Sequence, residues 1–206
     1  VSASPAAGCI GRPPRVAAWR VAAWRGAATV ATLLGRDAAA LDWRERIAAA
    51  RPADAVALET VAHLRAGRGE DELAVALLRH AVALDAGRTS GWFNLGFLLQ
   101  RRGEHEAALA AFDRALELDD SHDLAHYGRA LSLIRSGRLE EAIEPLRRNI
   151  ALQPLSPFGA YQLAHVYHWL GRREQVARLI ARLAGFEPQV ARQLERETGV
   201  AAASAD

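Results

Sequence analysis

No lysine and no methionine occur in the 206 residues, so every permanently basic side chain is arginine. With alanine abundant as well, this bias reads as the coding signature of a GC-rich bacterial genome rather than as chemistry. The one cysteine, Cys9, excludes an internal disulfide and any multi-cysteine metal site. No uninterrupted apolar run reaches the length of about 18 residues that a membrane-spanning helix needs. Also missing are a phosphate-binding glycine loop, a nucleophile elbow and any pair of carboxylates placed to meet in a pocket. We therefore expect neither catalysis nor a cofactor.

Acid is absent from the start of the chain. Residues 1–36 carry Arg12, Arg15, Arg20, Arg25 and Arg36 with no Asp or Glu, while the other 170 residues hold 21 Arg against 24 acids, a formal balance of −3. A body without basic excess offers little phosphate neutralisation, so a nucleic-acid partner is not expected. Residues 1–15, with Pro5, Gly8, Gly11, Pro13 and Pro14, lack periodicity and read as disordered. The segment VAAWR then occurs twice, at 16–20 and 21–25. A helix would turn Trp24 about 140° from Trp19, leaving no single membrane-binding face. Val1 is what a GTG start read literally would give, and a true start further on is an expectation that goes with it. Residues 12–40 hold arginines ahead of a short apolar stretch, then Ala38, Ala39 and Ala40, but Asp37 interrupts the signal-peptide pattern. A cytoplasmic location is expected, with a periplasmic one as the alternative if that stretch acts as a signal.

What the chain does contain is a beat. Gly35, Gly69, Gly103, Gly137 and Gly171 are each 34 residues apart. A glycine between two helices takes the left-handed conformation that ends the first. Five residues later come Ala40, Ala74, Ala108, Ala142 and Val176, small enough for two helices to approach closely. Four further on are Leu78, Phe112, Leu146 and Ile180, large enough to fill an interface with the next unit, whereas Arg44 stands in that phase of the first unit. Ala62, Gly96, Ala130 and Ala164 repeat as small contacts, and Pro52, Pro154 and Pro188 close units. Ser156, Ser121 and Thr89 are placed to cap helix starts. Pro145 falls inside a helix and is expected to kink it.

The unit Trp92-Phe93-Asn94-Leu95-Gly96, with Leu99, Gly103, Ala108, Phe112, Ala115 and Leu116, resembles the tetratricopeptide repeat, a helix-turn-helix of about 34 residues. The resemblance implies an all-α fold, a right-handed superhelical solenoid of antiparallel helix pairs. Four repeats are expected within 55–190, at 55–88, 89–122, 123–156 and 157–190. A degenerate repeat fills 21–54, its first helix frayed or absent, and residues 1–20 form a tail that is disordered or precedes the true start. A cap helix lies at 188–199, with Val190, Ala191 and Leu194 on one side, and residues 200–206 form a tail.

In this family the first helices line a groove that holds peptides, and the resemblance implies a non-catalytic protein-binding or peptide-binding adaptor or scaffold. Facing opposite the packing stripe of Trp92, Leu95, Gly96 and Leu99 are Phe93, Phe97 and Gln100. The same phase gives His63, Tyr127, Leu131, Tyr161, His165 and His168, and Asn94, Arg101 and Arg135 could hydrogen-bond a ligand. Two readings stand for this aromatic ladder: ligand contact, or packing between neighbouring first helices. Without lysine, the family's grip on a terminal carboxylate is not carried over. His122 with His126, and His165 with His168, have helical ligand spacing but lack the glutamate of a zinc-protease helix, so no metal site is expected. His80 and His105 read as exposed. Alternatives are a regulatory or assembly subunit of an enzyme complex, or a helical-repeat RNA binder. Oligomeric state is left open.

Trp92, Leu95, Phe112, Leu146, Leu163 and Tyr167 are expected in the core. Replacing Trp92 by Ala should cost about 3–5 kcal/mol; a thermal melt left unchanged would count against the register.

Overall fold

The computed structural model describes residues 15–203. Among them are eleven helices and no strand: α1 (Arg15–Leu33), α2 (Asp37–Ala50), α3 (Ala55–Gly67), α4 (Asp71–Leu84), α5 (Thr89–Arg101), α6 (His105–Leu118), α7 (Asp123–Arg135), α8 (Leu139–Leu152), α9 (Pro157–Trp169), α10 (Arg173–Ala184) and α11 (Pro188–Thr198). Each packs on the next in sequence. Two further pairs, α5 with α7 and α9 with α11, meet across an intervening helix. The result is an all-α solenoid of antiparallel helix pairs.

The turn within each pair repeats atom for atom. Gly35, Gly69, Gly103, Gly137 and Gly171 all have φ between 64° and 80°. In the turn after α5, the Gly103 amide donates to the Gln100 carbonyl and the Glu104 amide to the Leu99 carbonyl, both at 2.9 Å. The same two bonds recur after α1, α3, α7 and α9. They satisfy carbonyls that the helix end leaves open. A side chain with a Cβ would strain each turn, which is why glycine keeps the beat.

Helix starts depend less on side chains than the sequence suggests. Asp54 accepts from the Ala57 amide at 3.1 Å and the His122 ring Nδ1 from the Ala125 amide at 3.2 Å. Ser156 holds the N-cap position of α9 without a side-chain bond, leaving Pro157 to set the first turn. Thr89 is already inside α5 behind Arg88, and Ser121 instead bonds Asp119. α8 runs unbroken through Pro145, which is buried.

The interior follows the repeat phases. Ala40, Ala74, Ala108, Ala142 and Val176 are buried, as are Ala62, Gly96, Ala130 and Ala164. Leu78, Phe112, Leu146 and Ile180 form a row of wedges, each at most 2% exposed. The fit is tightest at Phe112, whose ring lies against two first helices. A Cβ on Gly96 would come within 2.8 Å of the ring, and one on Gly128 within 2.5 Å. At the fifth wedge position, Arg44 is half-buried.

Two expectations are corrected. Trp92 is half-buried rather than core: its Nε1–H donates to the Ala86 carbonyl at 2.9 Å, and the Arg114 guanidinium lies 5.9 Å from its ring. Its replacement should therefore cost less than a core aromatic would. Further back, α1 is a full helix beginning inside the segment 1–20 that reads as tail. Ala28 and Ala31 are buried there, so α1 gains its stability by packing on α2, which compensates for its weak amphipathic pattern. Residues 1–14 lie outside the described part. At the other end, α11 buries Ala191, Leu194 and Thr198 and stops at Gly199 with φ 64°.

Phe112 is the side chain to test. Phe112→Ala should cost about 3–5 kcal/mol in denaturant unfolding. Gly128→Ala should cost about 1–3 kcal/mol by overpacking, and Phe112→Leu in the same chain should recover part of that loss.

Candidate functional site

The first helices α3, α5, α7 and α9 lie side by side, and the gaps between them hold the openings that could take a ligand. Between α3 and α5 is a cavity of about 150 Å³ lined by His63, Asn94, Phe97 and Arg101 together with Glu59 and Leu78. Between α5, α7 and α9 is a cleft of about 710 Å³. Gln100, Leu131 and Arg135 line it with Ile134, Gln162 and Trp169. Seven of the twelve residues expected in a groove thus border these two openings. Phe93, Tyr127, Tyr161, His165 and His168 border neither.

Several expected ligand contacts are already engaged within the fold. Gln100 donates to the Gly128 carbonyl at 2.7 Å and to Ser132 Oγ at 2.8 Å, tying α5 to α7. Arg101 makes a two-pronged ion pair with Asp71 and also donates to the Ala66 carbonyl. Phe93 packs between His122 at 4.7 Å and Phe112 at 6.1 Å. Tyr127 is half-buried, and burial raises its phenol above the ordinary range although Gln162 opposes this. Arg135 is different. It is exposed at the cleft and pairs with no acid among the described residues. Two aromatic rings also stay open: Phe97 is 49% exposed and Trp169 is 54% exposed.

At the far end, α11 closes over the ladder. Tyr161 Oη donates to Glu197 Oε2 at 2.8 Å, and Gln193 Nε2 donates to Glu197 Oε1 at 2.8 Å. His165 Nε2 is 3.1 Å from the same carboxylate. The His165 ring stands edge-on to Tyr161 at 4.7 Å and leads on to Trp169 at 5.7 Å. Burial and then the neighbouring carboxylate push the Tyr161 phenol up. The hydrogen bonds from Gln193 and Tyr161 hold Glu197 below the usual carboxylate range, against the opposing effect of burial.

His122 and His126 each bond close to the start of α7. His126 Nε2 bonds the Asp120 carbonyl at 2.9 Å while His122 caps α7, and among the described residues no group of three or more His, Cys, Asp or Glu is placed to hold a metal ion. His80 is exposed, but His105 is half-buried at the 710 Å³ cleft, with its Nδ1 unpartnered. No helix among the described residues is long and apolar enough to cross a membrane.

Two elements of the site escape sequence reasoning. Trp169 lies four residues after His165, hence on the same face one turn on, and that spacing could have revealed it. Glu197 could not be found so, because α11 reads as a solvating cap and only the packed structure brings its carboxylate to Tyr161.

Comparison with known proteins fits this geometry. A family model described as tetratricopeptide repeat matches residues 93–157. No curated protein matches the chain. Among solved structures, a MamA protein superimposes with TM-score 0.75 at 19% identity, covering 88% of this chain and 95% of that one. MamA from Desulfovibrio magneticus RS-1, from residue 41 to its end, gives TM-score 0.74 at 17% identity, covering 86% and 96%. YrrB, described as a TPR protein with an unusual peptide-binding site, gives 0.72 at 17% identity, covering 82% and 88%. At these identities the likeness is one of fold.

The Glu197 cluster makes the docking of α11 sensitive to acid. A carboxylate whose value is lowered by folding stabilises the fold at every pH above its ordinary range and loses that contribution as pH falls through the lowered value. Hydrogen exchange should therefore show α11 losing protection in acid ahead of α5 and α6, and Glu197→Gln should flatten that difference. Equal loss in all three helices would remove the cluster from this role.

Proposed function

We propose, on the premise that the chain is a tetratricopeptide-repeat protein, that it is a non-catalytic adaptor which binds an extended protein segment across its first helices. The observation that carries this reading is the cleft bordered by α5, α7 and α9. Its wall combines the open ring of Trp169, the aliphatic side chains Leu131 and Ile134, and the unpaired guanidinium of Arg135. An aromatic ring offers large contact area at small entropic cost, and arginine adds directional donors. The adjoining α3/α5 cavity with Phe97 extends the surface toward the start of the chain. YrrB, with its peptide-binding site on a similar fold, supports the same class of ligand.

The binding set differs from a simple ladder of every ring in phase. Phe97, Leu131, Arg135 and Trp169 carry it; His63 and Asn94 lie at its edge; Tyr161 and His165 belong to the end that α11 covers.

Panning a displayed peptide library against the full chain tests this. The native protein should enrich a consensus, and Phe97→Ala/Arg135→Ala/Trp169→Ala should fail to enrich it while its circular dichroism stays native. Equal enrichment by both would move the site elsewhere, and enrichment by neither would remove the peptide-binding reading.

A further inference from the structure

The wedge position of the first unit is the one place where the interior breaks its own rule. Leu78, Phe112, Leu146 and Ile180 close the space between successive units, but Arg44 stands in the corresponding place. Instead of a filled interface there is a cavity of about 310 Å³ between α1, α2 and α3. The opening at the next interface, where Leu78 stands, is about 150 Å³. Arg44 Nε is buried within this region and has no hydrogen-bond partner among the described residues.

A buried N–H without a hydrogen-bond partner is costly, and unsatisfied polar atoms in native interiors are few. The acid nearest to hand does not meet the need. Asp54 lines the same cavity but already caps α3 through the Ala57 amide, and its other oxygen lies 3.9 Å from Arg25 and 3.7 Å from Arg51. Arg44 has no ion pair with it. The rest of the wall joins an apolar patch of Ala28, Ile47, Val56 and Ala57 to the side chains of Arg25, Thr29 and Thr60. The space therefore has an unpartnered Arg44 Nε beside an apolar patch, with Arg25, Asp54, Thr29 and Thr60 completing its wall.

We propose that this cavity is a binding pocket for a carboxylate carried on a short apolar body, with Arg44 as the group that holds the carboxylate. The planar fork of arginine matches the two oxygens of a carboxylate. Arg25 and Arg44 against Asp54 leave the wall one net positive charge, which matches a single carboxylate better than a doubly charged phosphate. Ile47 and Val56 bury the body of the ligand. This pocket is separate from the α5/α7/α9 cleft, and neither site depends on the other being occupied. The carboxylate could belong to a free small acid or to the end of a peptide with an apolar last residue, and the two are told apart by experiment.

Titration calorimetry of the full chain at constant ionic strength is the test. The probes are isovalerate, its uncharged analogue isovaleramide, and an acetylated Gly-Gly-Ser-Gly-Leu peptide with free or amidated terminus. Binding of isovalerate without binding of the amide is expected. Arg44→Leu should weaken that binding by at least about tenfold and should leave the melting temperature at or above that of the native chain, because it restores the apolar wedge. Arg44→Gln, which keeps a polar side chain without the charge, should lose binding as well. Binding of the free-terminus peptide but not of isovalerate would support the pocket and identify a chain end as its source. Equal binding of acid and amide, unchanged binding by Arg44→Leu, or no binding of any acid would overturn the proposal.

Discussion

The whole array depends on one steric condition: a side chain of suitable volume must fill the space where each second helix meets the first helices on either side of it. At the centre this condition is met by the ring of Phe112, which leaves no room for a Cβ on Gly96 or Gly128. Aromatic and glycine are thus one packing decision spread over three helices. The small residues Ala108, Ala130 and Ala142 let the helix axes approach, and the wedge then fixes their spacing. Leu78 borders an opening of about 150 Å³ and Arg44 one of about 310 Å³, the second with charged groups in its wall. Two of the openings in this solenoid thus border the wedge phase of the repeat.

A second set of contacts holds the units in register without filling space. Gln100 joins α5 to the backbone of α7, Asn149 Nδ2 reaches the Asp123 carbonyl at 3.0 Å, and Arg172 pairs with Glu140 at 2.7 Å. Arg65 lies between Glu45 and Glu70, and these bonds raise its guanidinium above the ordinary range. Most of these pairs are partly exposed, so each contributes little on its own. Their effect on function is subtractive. Gln100 and Arg101 spend their donors on the neighbouring unit, whereas Arg135 makes no such pair among the described residues.

The periodic part of this architecture could be read from the residues because it is local and repeated. Five glycines in step demand five identical turns, and alanines in step demand close helix crossings. Side-chain allegiance could not be read in the same way. Phe93, Tyr127 and Tyr161 share a phase, yet His122, Gln162 and Glu197 take them up separately, and those partners lie on other elements. Helix α1 escaped notice for a related reason. Its repeated VAAWR segment spreads apolar residues around the axis, so its order comes from α2 and not from its own pattern. Trp92 misled in the opposite direction: it keeps the repeat's phase but sits near the surface, where its indole serves the Ala86 carbonyl.

Since each helix leans on its neighbour in sequence, the segments that must be brought together during folding are short. Closing short loops carries a small entropic cost, and chains dominated by such local contacts fold quickly. The pairing of α1 with α2 requires nothing from α9 or α11. A ribosome making this polypeptide need not finish before order begins: one hairpin can settle while the next is still being synthesised, and each completed pair offers a surface on which the following one condenses.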